Sequence, residues 1–268
     1  MGDIVTMDDL TNQDIVAVLD DAERLVPVAR GDVYLPLLQG KVLANMFFEN
    51  STRTRMSFET AMKRLGGSVL NFTSIGTSVA KGETLYDTMQ MIDGYADVAA
   101  IRHPRQGAAQ YSADAVEIPI LNAGDGAGNH PTQTMLDLFT IRKAHGTLEG
   151  LNVVLVGDLR YGRTVHSLSH ALVRFGAKLT LVSPSTLKMP VEIVSDLREH
   201  GSEIMETESL EDQIAGADVI YVTRIQKERF PDEDEYAKVA GIYKIEASDL
   251  SGAMKGMIIM HPLPRVDE

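Results

Sequence analysis

Cysteine is absent from the 268 residues. That excludes disulfides, zinc–thiolate sites and a cysteine nucleophile, and it fits a reducing compartment. A basic excess is absent as well: 25 Lys+Arg stand against 38 Asp+Glu, a formal net charge of −13. Non-specific binding to nucleic acid or to an anionic membrane needs a basic surface, so neither partner is expected. An anionic small molecule stays open, because a site needs only a local cluster of arginines. No stretch reaches the roughly 18 apolar residues of a membrane span. The start, Met1-Gly2-Asp3-Ile4-Val5, has neither the basic residues nor the apolar run of a secretion signal. The expectation is a soluble, cytoplasmic protein. Repeats and low-complexity segments are missing too. The densest charge block, Asp232-Glu233-Asp234-Glu235, reads as a solvated loop.

What is present is an ordinary hydrophobic share of 44%, enough for a proper core and too much for a disordered chain. The length predicts about two domains. Apolar spacing predicts helices over 8–30, 52–65, 82–96, 131–144, 163–175 and 191–200. Short apolar runs predict strands over 42–48, 68–72, 98–101, 118–122, 153–157, 178–182, 219–223 and 257–260. Strands alternating with helices imply parallel sheets covered on both faces, hence the α/β class with two successive parallel-sheet domains. Pro131 suits a helix's first turn, and Gly146 suits its end. The pattern restarts after that helix, which places a first domain over 1–135 and a second over 136–268. The loop Gly157-Asp158-Leu159-Arg160-Tyr161-Gly162-Arg163 follows a strand and opens a helix. It lacks the second glycine that lets a dinucleotide's pyrophosphate approach, so nicotinamide binding is not expected.

Six stretches carry candidate chemistry. Ser51-Thr52-Arg53-Thr54-Arg55 lies between a strand and a helix. A helix N-terminus exposes unpaired N–H groups and a partial positive charge, and the hydroxyls and Arg53 add donors suited to phosphate oxygens. The plainer alternative is that Ser51 or Thr52 only caps the helix. Arg102, before His103-Pro104, would stand at the carboxyl end of a parallel strand, where ligands bind in open α/β sheets. His130 and Gln133 follow a glycine-rich loop at a helix start, and a purely structural histidine is the alternative there. Arg163 opens the second domain's helix. Arg224 and Gln226 follow one of its strands, and His261-Pro262-Leu263-Pro264-Arg265 follows its last. Arg53, Arg55, Arg102, Arg163 and Arg224 together, in an acidic protein, point to a strongly anionic ligand or ligand pair in a crevice at the strand ends. No acid pair, nucleophile–base pair or metal cluster accompanies them, so positioning and charge stabilisation fit better than covalent catalysis.

In order, the stretches 47–55, Lys81-Gly82-Glu83-Thr84, Arg102-His103-Pro104, His130-Pro131-Thr132-Gln133-Thr134, Gly157-Asp158 with Tyr161-Gly162-Arg163-Thr164, 223–229 and 261–265 resemble the catalytic chain of the aspartate carbamoyltransferase family over essentially the whole length. The resemblance implies transfer of a carbamoyl group from carbamoyl phosphate to L-aspartate, toward pyrimidines, without a cofactor or covalent intermediate. It implies a carbamoyl phosphate-binding domain over 1–135 and an aspartate-binding domain over 136–268. Ser51, Thr52, Arg53 and Thr54 would hold the phosphate. Thr54, Arg102 and His130 would polarise the carbonyl, and Gln133 with the Leu263–Pro264 backbone would hold the carbamoyl nitrogen. Lys81, Arg163, Arg224 and Gln226 would take the aspartate. The family forms homotrimers in which a loop serine and Lys81 come from the neighbouring subunit. Ser78 is the choice for that serine, with Thr77 beside it as the alternative. Some members bind a zinc-containing regulatory chain and others work as bare trimers, a choice the residues leave open. The family also continues past the position of Glu268 through helices that return to the first domain. Ornithine-type relatives typically carry a cysteine in the last motif, where this chain has Pro262. A non-catalytic scaffold is the remaining alternative.

Overall fold

Two threonines decide where the chain first becomes helical. In the computed structural model, which describes residues 2–73, 81–126, 128–225, 236 and 241–265, Thr6 caps a 3-10 turn at Met7–Asp9. Thr11 then begins α1 (Asn12–Arg30): its hydroxyl accepts from the Asp14 amide while Asp14 accepts from the Thr11 amide. This reciprocal box satisfies orphan donors at the helix start, so the single helix predicted over 8–30 is a turn and a helix. Gly31, at φ 85°, closes it.

The chain divides into two compact units, Met1–Met135 and Leu136–Glu268. In the first, β1 (Val42–Phe47), α2 (Thr52–Arg64), β2 (Ser68–Thr73), α3 (Leu85–Asp93), β3 (Val98–His103), α4 (Ala108–Ala113) and β4 (Ile120–Asp125) alternate. The strands form a parallel sheet in the order β2-β1-β3-β4. Successive side chains of a strand face opposite ways. Ala44, Met46, Ala99 and Ile101 therefore pack with Met89 and Ile92, while Leu43 and Ala100 pack with Met62 on the other face. Burial on both faces is why these strands read as continuous apolar runs. The N-terminal segment covers the β4 edge: the Ile4 amide donates to the Ile120 carbonyl and the Asn122 amide to that of Ile4.

Helix α5 (Pro131–His145) starts on its proline, and the Gly146 amide closes it on the Arg142 carbonyl. The second unit holds β5 (Asn152–Val156), α6 (Arg163–Val173), β6 (Lys178–Val182), α7 (Val191–Glu199), β7 (Ile204–Thr207), α8 (Glu211–Ile214), β8 (Val219–Val222) and β9 (Ile258–Met260). Its sheet is also parallel, in the order β7-β6-β5-β8-β9. The core here gathers Val154, Val156, Val182, Ile220 and Val222 against Ile214 and Ala217.

Strand order reverses between β1 and β3 in the first sheet and between β5 and β8 in the second. Each reversal opens a crevice at the carboxyl ends of the flanking strands, the usual ligand position in such sheets.

Candidate functional site

The first crevice is lined by the turn from β1 into α2. Ser51 is the N-cap of α2, extended at φ −156°, yet its hydroxyl makes no capping bond. The first turn carries no acidic residue. Its orphan N–H groups and the dipole's positive end are thus left to an outside acceptor. That disfavours the plain capping alternative for Ser51. A buried polar thread fixes the helix to the sheet. Asn45 on β1, fully buried, donates to the Arg55 carbonyl at 3.1 Å and to Asn71 on β2 at 3.0 Å. Asn71 in turn donates to Glu59 on α2, and Lys63 holds the Glu59 carboxyl below its usual range.

Arg102, the penultimate residue of β3, lies directly beside this turn, with its carbonyl accepting from the Phe48 amide. The β3–β4 pairing slips between Ile101 and His103, because Ile101 faces Asn122 but His103 faces Asp125. The extra residue sits on β4, and such a bulge leaves a backbone group outside the ladder and re-aims the side chain opposite. Arg102 uses it, donating to the Ala123 carbonyl at 3.3 Å. Its other contact is a loose 3.4 Å pair with Glu49, and its side chain is only 12% exposed. Its Nε is buried with no hydrogen-bond partner among the described residues. A nearly buried guanidinium with only long contacts falls well short of the 2.7–2.9 Å charge-assisted bonds it can make. It is suited to an incoming anion.

The neighbouring His103 has a different task. Its Nδ1 accepts from the Arg105 amide at 3.0 Å, its ring tilts against Phe48, and burial holds its imidazole below the ordinary value. It is a neutral loop-former. His130 is buried at the head of α5, where its carbonyl accepts from the Gln133 and Thr134 amides and its Nδ1 lies 3.3 Å from the Thr132 hydroxyl. The loop before it is held by Asp125, a buried carboxylate accepting from the amides of Gly107 and Asn129 and from Asn122. Gly126, at φ 54°, must be glycine: a Cβ would come within 2.7 Å of the Gln106 amide. Lys81 is exposed on this unit, followed by Glu83 and Thr84, which bond to Thr88 and Asp87 around the start of α3.

The second crevice has the same plan. Gly157 follows β5, and Thr223 follows β8. The Thr223 amide and hydroxyl both bond to the Val156 carbonyl, at 2.8 and 3.1 Å. Asp158 is fully buried and accepts from the Tyr161 amide at 2.9 Å, which shapes the turn into α6. Arg163 is the first residue of α6, whose N-cap Gly162 has no side chain to cap with. Arg224 follows Thr223, two residues past the end of the adjacent strand β8. The chain thus places one arginine after each of the two paired strands β5 and β8. After β9, the Leu263 amide donates to His261 Nδ1 at 2.7 Å, Leu263 adopts φ 61°, and the Leu263–Pro264 peptide is cis.

The structure thus groups Ser51, Thr52, Arg53, Thr54 and Arg102 at one switch point, with His130 and Gln133 beyond the adjoining strand. It groups Arg163 and Arg224 at the other. Ser78, Thr77, Gln226 and the acidic run 232–235 lie outside the described residues. Sequence reasoning gave no role to Glu49, Asp125, Thr223 or the buried Asp137–Tyr221 pair. For Asp125 a signal existed: an aspartate between glycines is a common acceptor of loop amides.

Parallel sheets in succession, each with cationic groups and a helix N-terminus at its switch point, define the class of two-domain carbamoyltransferases. The family models agree: one described as aspartate/ornithine carbamoyltransferase, carbamoyl-P binding domain, matches residues 2–143, and its Asp/Orn binding domain partner matches 149–268. The aspartate carbamoyltransferase catalytic subunit of Archaeoglobus fulgidus is 54% identical, aligned over 100% of this chain and 89% of its own. The chain belongs to the aspartate carbamoyltransferase family, in its catalytic-subunit branch. Among solved structures, the catalytic subunit of the M. jannaschii aspartate transcarbamoylase matches with a TM-score of 0.92 and 50% identity, over 100% of this chain and 87% of that one. The Trypanosoma cruzi aspartate transcarbamoylase, in complex with carbamoyl phosphate and aspartate, matches with a TM-score of 0.94 and 42% identity, over 99% and 86%.

Proposed function

We propose that this chain transfers the carbamoyl group of carbamoyl phosphate to L-aspartate, giving N-carbamoyl-L-aspartate and phosphate for pyrimidine synthesis. The observation that carries the reading is the uncapped, acid-free start of α2 set at a switch point beside the under-paired Arg102. In this reading Ser51, Thr52, Arg53 and Thr54 hold the phosphate. Thr54, Arg102 and His130 donate to the carbamoyl oxygen. That oxygen gains negative charge as the amine attacks the carbonyl carbon, so donors already in place favour the transition state over the bound substrate. Gln133 and the backbone at Leu263 and Pro264 orient the carbamoyl nitrogen. Arg163, Arg224 and Gln226 take the aspartate carboxylates, with Lys81.

The new C–N bond forms as the bond from the carbonyl carbon to the phosphate oxygen breaks. The proton lost by the amine goes to the departing phosphate, so the chain need supply no general base. The first domain, 1–135, binds carbamoyl phosphate and the second, 136–268, binds aspartate. The working form is a cytoplasmic homotrimer in which Ser78 and Lys81 serve a neighbour's site. The test is product formation by the purified chain from carbamoyl phosphate with L-aspartate beside L-ornithine. Carbamoyl-aspartate alone supports the reading. Product with ornithine, or with neither amine, overturns it.

A further inference from the structure

Strand β4 ends on a carboxylate surrounded by donors. Asp125, only 4% exposed, accepts from the Gly107 amide on Oδ2 at 2.8 Å. Its Oδ1 accepts from the Asn129 amide at 2.9 Å and from the Asn122 side chain at 3.1 Å. Asn122 is fully buried and itself held in place, donating to the Val5 carbonyl and accepting from the Gly124 amide. The main chain of Asp125 repeats the grip: its amide donates to the Asn129 carbonyl at 3.3 Å, and its carbonyl accepts from the Gly128 amide at 2.8 Å. Both backbone polar groups of Asn129 are thus bonded to one residue.

Asn129 is the residue before His130. On the other side, the His130 carbonyl accepts from the Gln133 and Thr134 amides in the first turn of α5. The backbone of His130 is therefore bracketed, by Asp125 before it and by the helix after it, and the Thr132 hydroxyl lies 3.3 Å from its Nδ1. The helical half of the bracket needs no special side chain. The other half needs a carboxylate. An ionised carboxylate only accepts, whereas a side-chain amide presents donors on one of its two positions. Because donors approach both oxygens of Asp125, an amide of the same shape would set N–H against N–H whichever way it turned. A buried donor that faces a donor is costly to keep, so the loop would shift instead.

We propose that Asp125 is a positioning residue for His130, fixing the backbone from which the imidazole reaches the carbamoyl oxygen. The inference rests on the assignment of His130 to that oxygen. It predicts a selective defect. Asp125→Asn should lower kcat about tenfold to a hundredfold, since a transition-state donor displaced by about 1 Å loses much of its effect. The KM for aspartate should stay within about twofold, because the interaction lost is one made in the transition state. The affinity for inorganic phosphate should also stay within about twofold, as its proposed contacts on α2 are untouched. Gly128→Ala is the second variant. A Cβ there would come 2.9 Å from Asp125 Oδ1 and 3.0 Å from its carbonyl oxygen. It crowds the same junction without removing the carboxylate, and should lower kcat about fivefold.

The experiment combines steady-state kinetics, calorimetric titration of inorganic phosphate and NMR of the histidine Hε1 protons. A residue that acts through His130 has little to add once His130 is gone. In the His130→Ala background, Asp125→Asn should therefore lower kcat by less than about twofold more. The signal missing from His130→Ala identifies His130. Asp125→Asn should move that signal and leave the signal of His166, in the second unit, in place. A folded Asp125→Asn chain with unaltered kcat, or with an unmoved His130 signal, overturns the inference. So does a loss that adds in full to that of His130→Ala, or an equal loss of phosphate affinity, the marks of a merely structural role. Should Asp125→Asn fail to fold, Gly128→Ala is read by the same criteria. Unaltered kcat in His130→Ala overturns the assignment of His130 instead. Inactivity of the unaltered chain toward aspartate overturns the proposed reaction, and the His130 signal then still reports whether Asp125 sets the ring.

Discussion

Gly157→Ala is the most demanding test of how the second crevice is built. Gly157 sits at φ 117°, where residues with a Cβ are strained. An added Cβ would also fall well inside contact with the Thr223 carbonyl oxygen, 2.7 Å from its hydroxyl and 3.2 Å from its carbonyl carbon. The obstacle is backbone that is itself bonded to β5, so it cannot rotate away. The unfavourable φ costs about 1–3 kcal/mol and the overpacking about 1–3 kcal/mol more, a loss near 4 kcal/mol. Against a typical total of about 5–15 kcal/mol that is a large share. Gly150→Ala supplies the control: φ is 68° and nothing lies within 4 Å of a Cβ there, so only the conformational cost of about 1–2 kcal/mol applies. Urea unfolding followed by far-ultraviolet circular dichroism reads both variants. Gly157→Ala should unfold its unit in a separate, earlier transition, while Gly150→Ala shifts the curve modestly. Because the obstacle is the residue before Arg224, aspartate KM should rise in Gly157→Ala and not in the control. Equal midpoints for the two variants would refute the packing argument.

Arg53→Ala should lower kcat/KM by a factor corresponding to about 3 kcal/mol or more, by removing charge at the phosphate position; near-normal turnover sinks the phosphate assignment. Lys81→Ala should be inactive alone but regain part of the activity when mixed with Arg53→Ala chains, and a verified mixed trimer without rescue rules out shared sites. His166 gives a pH prediction. It is partly buried with its Nε2 2.8 Å from the Leu159 carbonyl, and burial, with His170 nearby, lowers its pKa below the ordinary 6.5. The unfolded chain therefore binds the proton more readily than the folded one, so stability is full above pH 6.5 and falls as pH drops from there through the lowered folded value. His166→Gln should flatten the Tm-against-pH curve across that window, and an unchanged slope would remove His166 as its source.

Much of the layout was legible because both sheets are parallel and doubly covered. The run at Val219–Val222 is apolar throughout, those at Val42–Phe47 and Lys178–Val182 are broken only by Asn45 and by Lys178 and Thr180, and the caps at Pro131 and Gly146 mark α5 without ambiguity. Three elements were not legible. α4 is six residues, half of them alanine, with no apolar stripe. α8 is a single turn. β7 is a sheet edge whose Ile204-Met205-Glu206-Thr207 faces solvent in part, so its pattern is weak. At the site, the arginines and the hydroxyl-rich turn announced themselves by charge and by their place after strands. The Arg102–Ala123, Gly107–Asp125 and Tyr221–Asp137 bonds join residues 18 to 84 positions apart, and no local pattern encodes such pairings.

The capping bond that Ser51 leaves unmade has a consequence for how the protein would respond to the phosphate proposed to bind there. A serine in that position ordinarily completes its helix, at a gain of about 1 kcal/mol. Here the completion is deferred, and in the proposed reading a phosphate supplies it. The first turn of α2 is then an unfinished piece of architecture that the metabolite finishes, so the rigidity of that unit becomes a function of metabolite concentration. Occupancy raises stability by mass action, so in that reading a cell rich in the phosphorylated donor would hold a stiffer, longer-lived protein than a starved one.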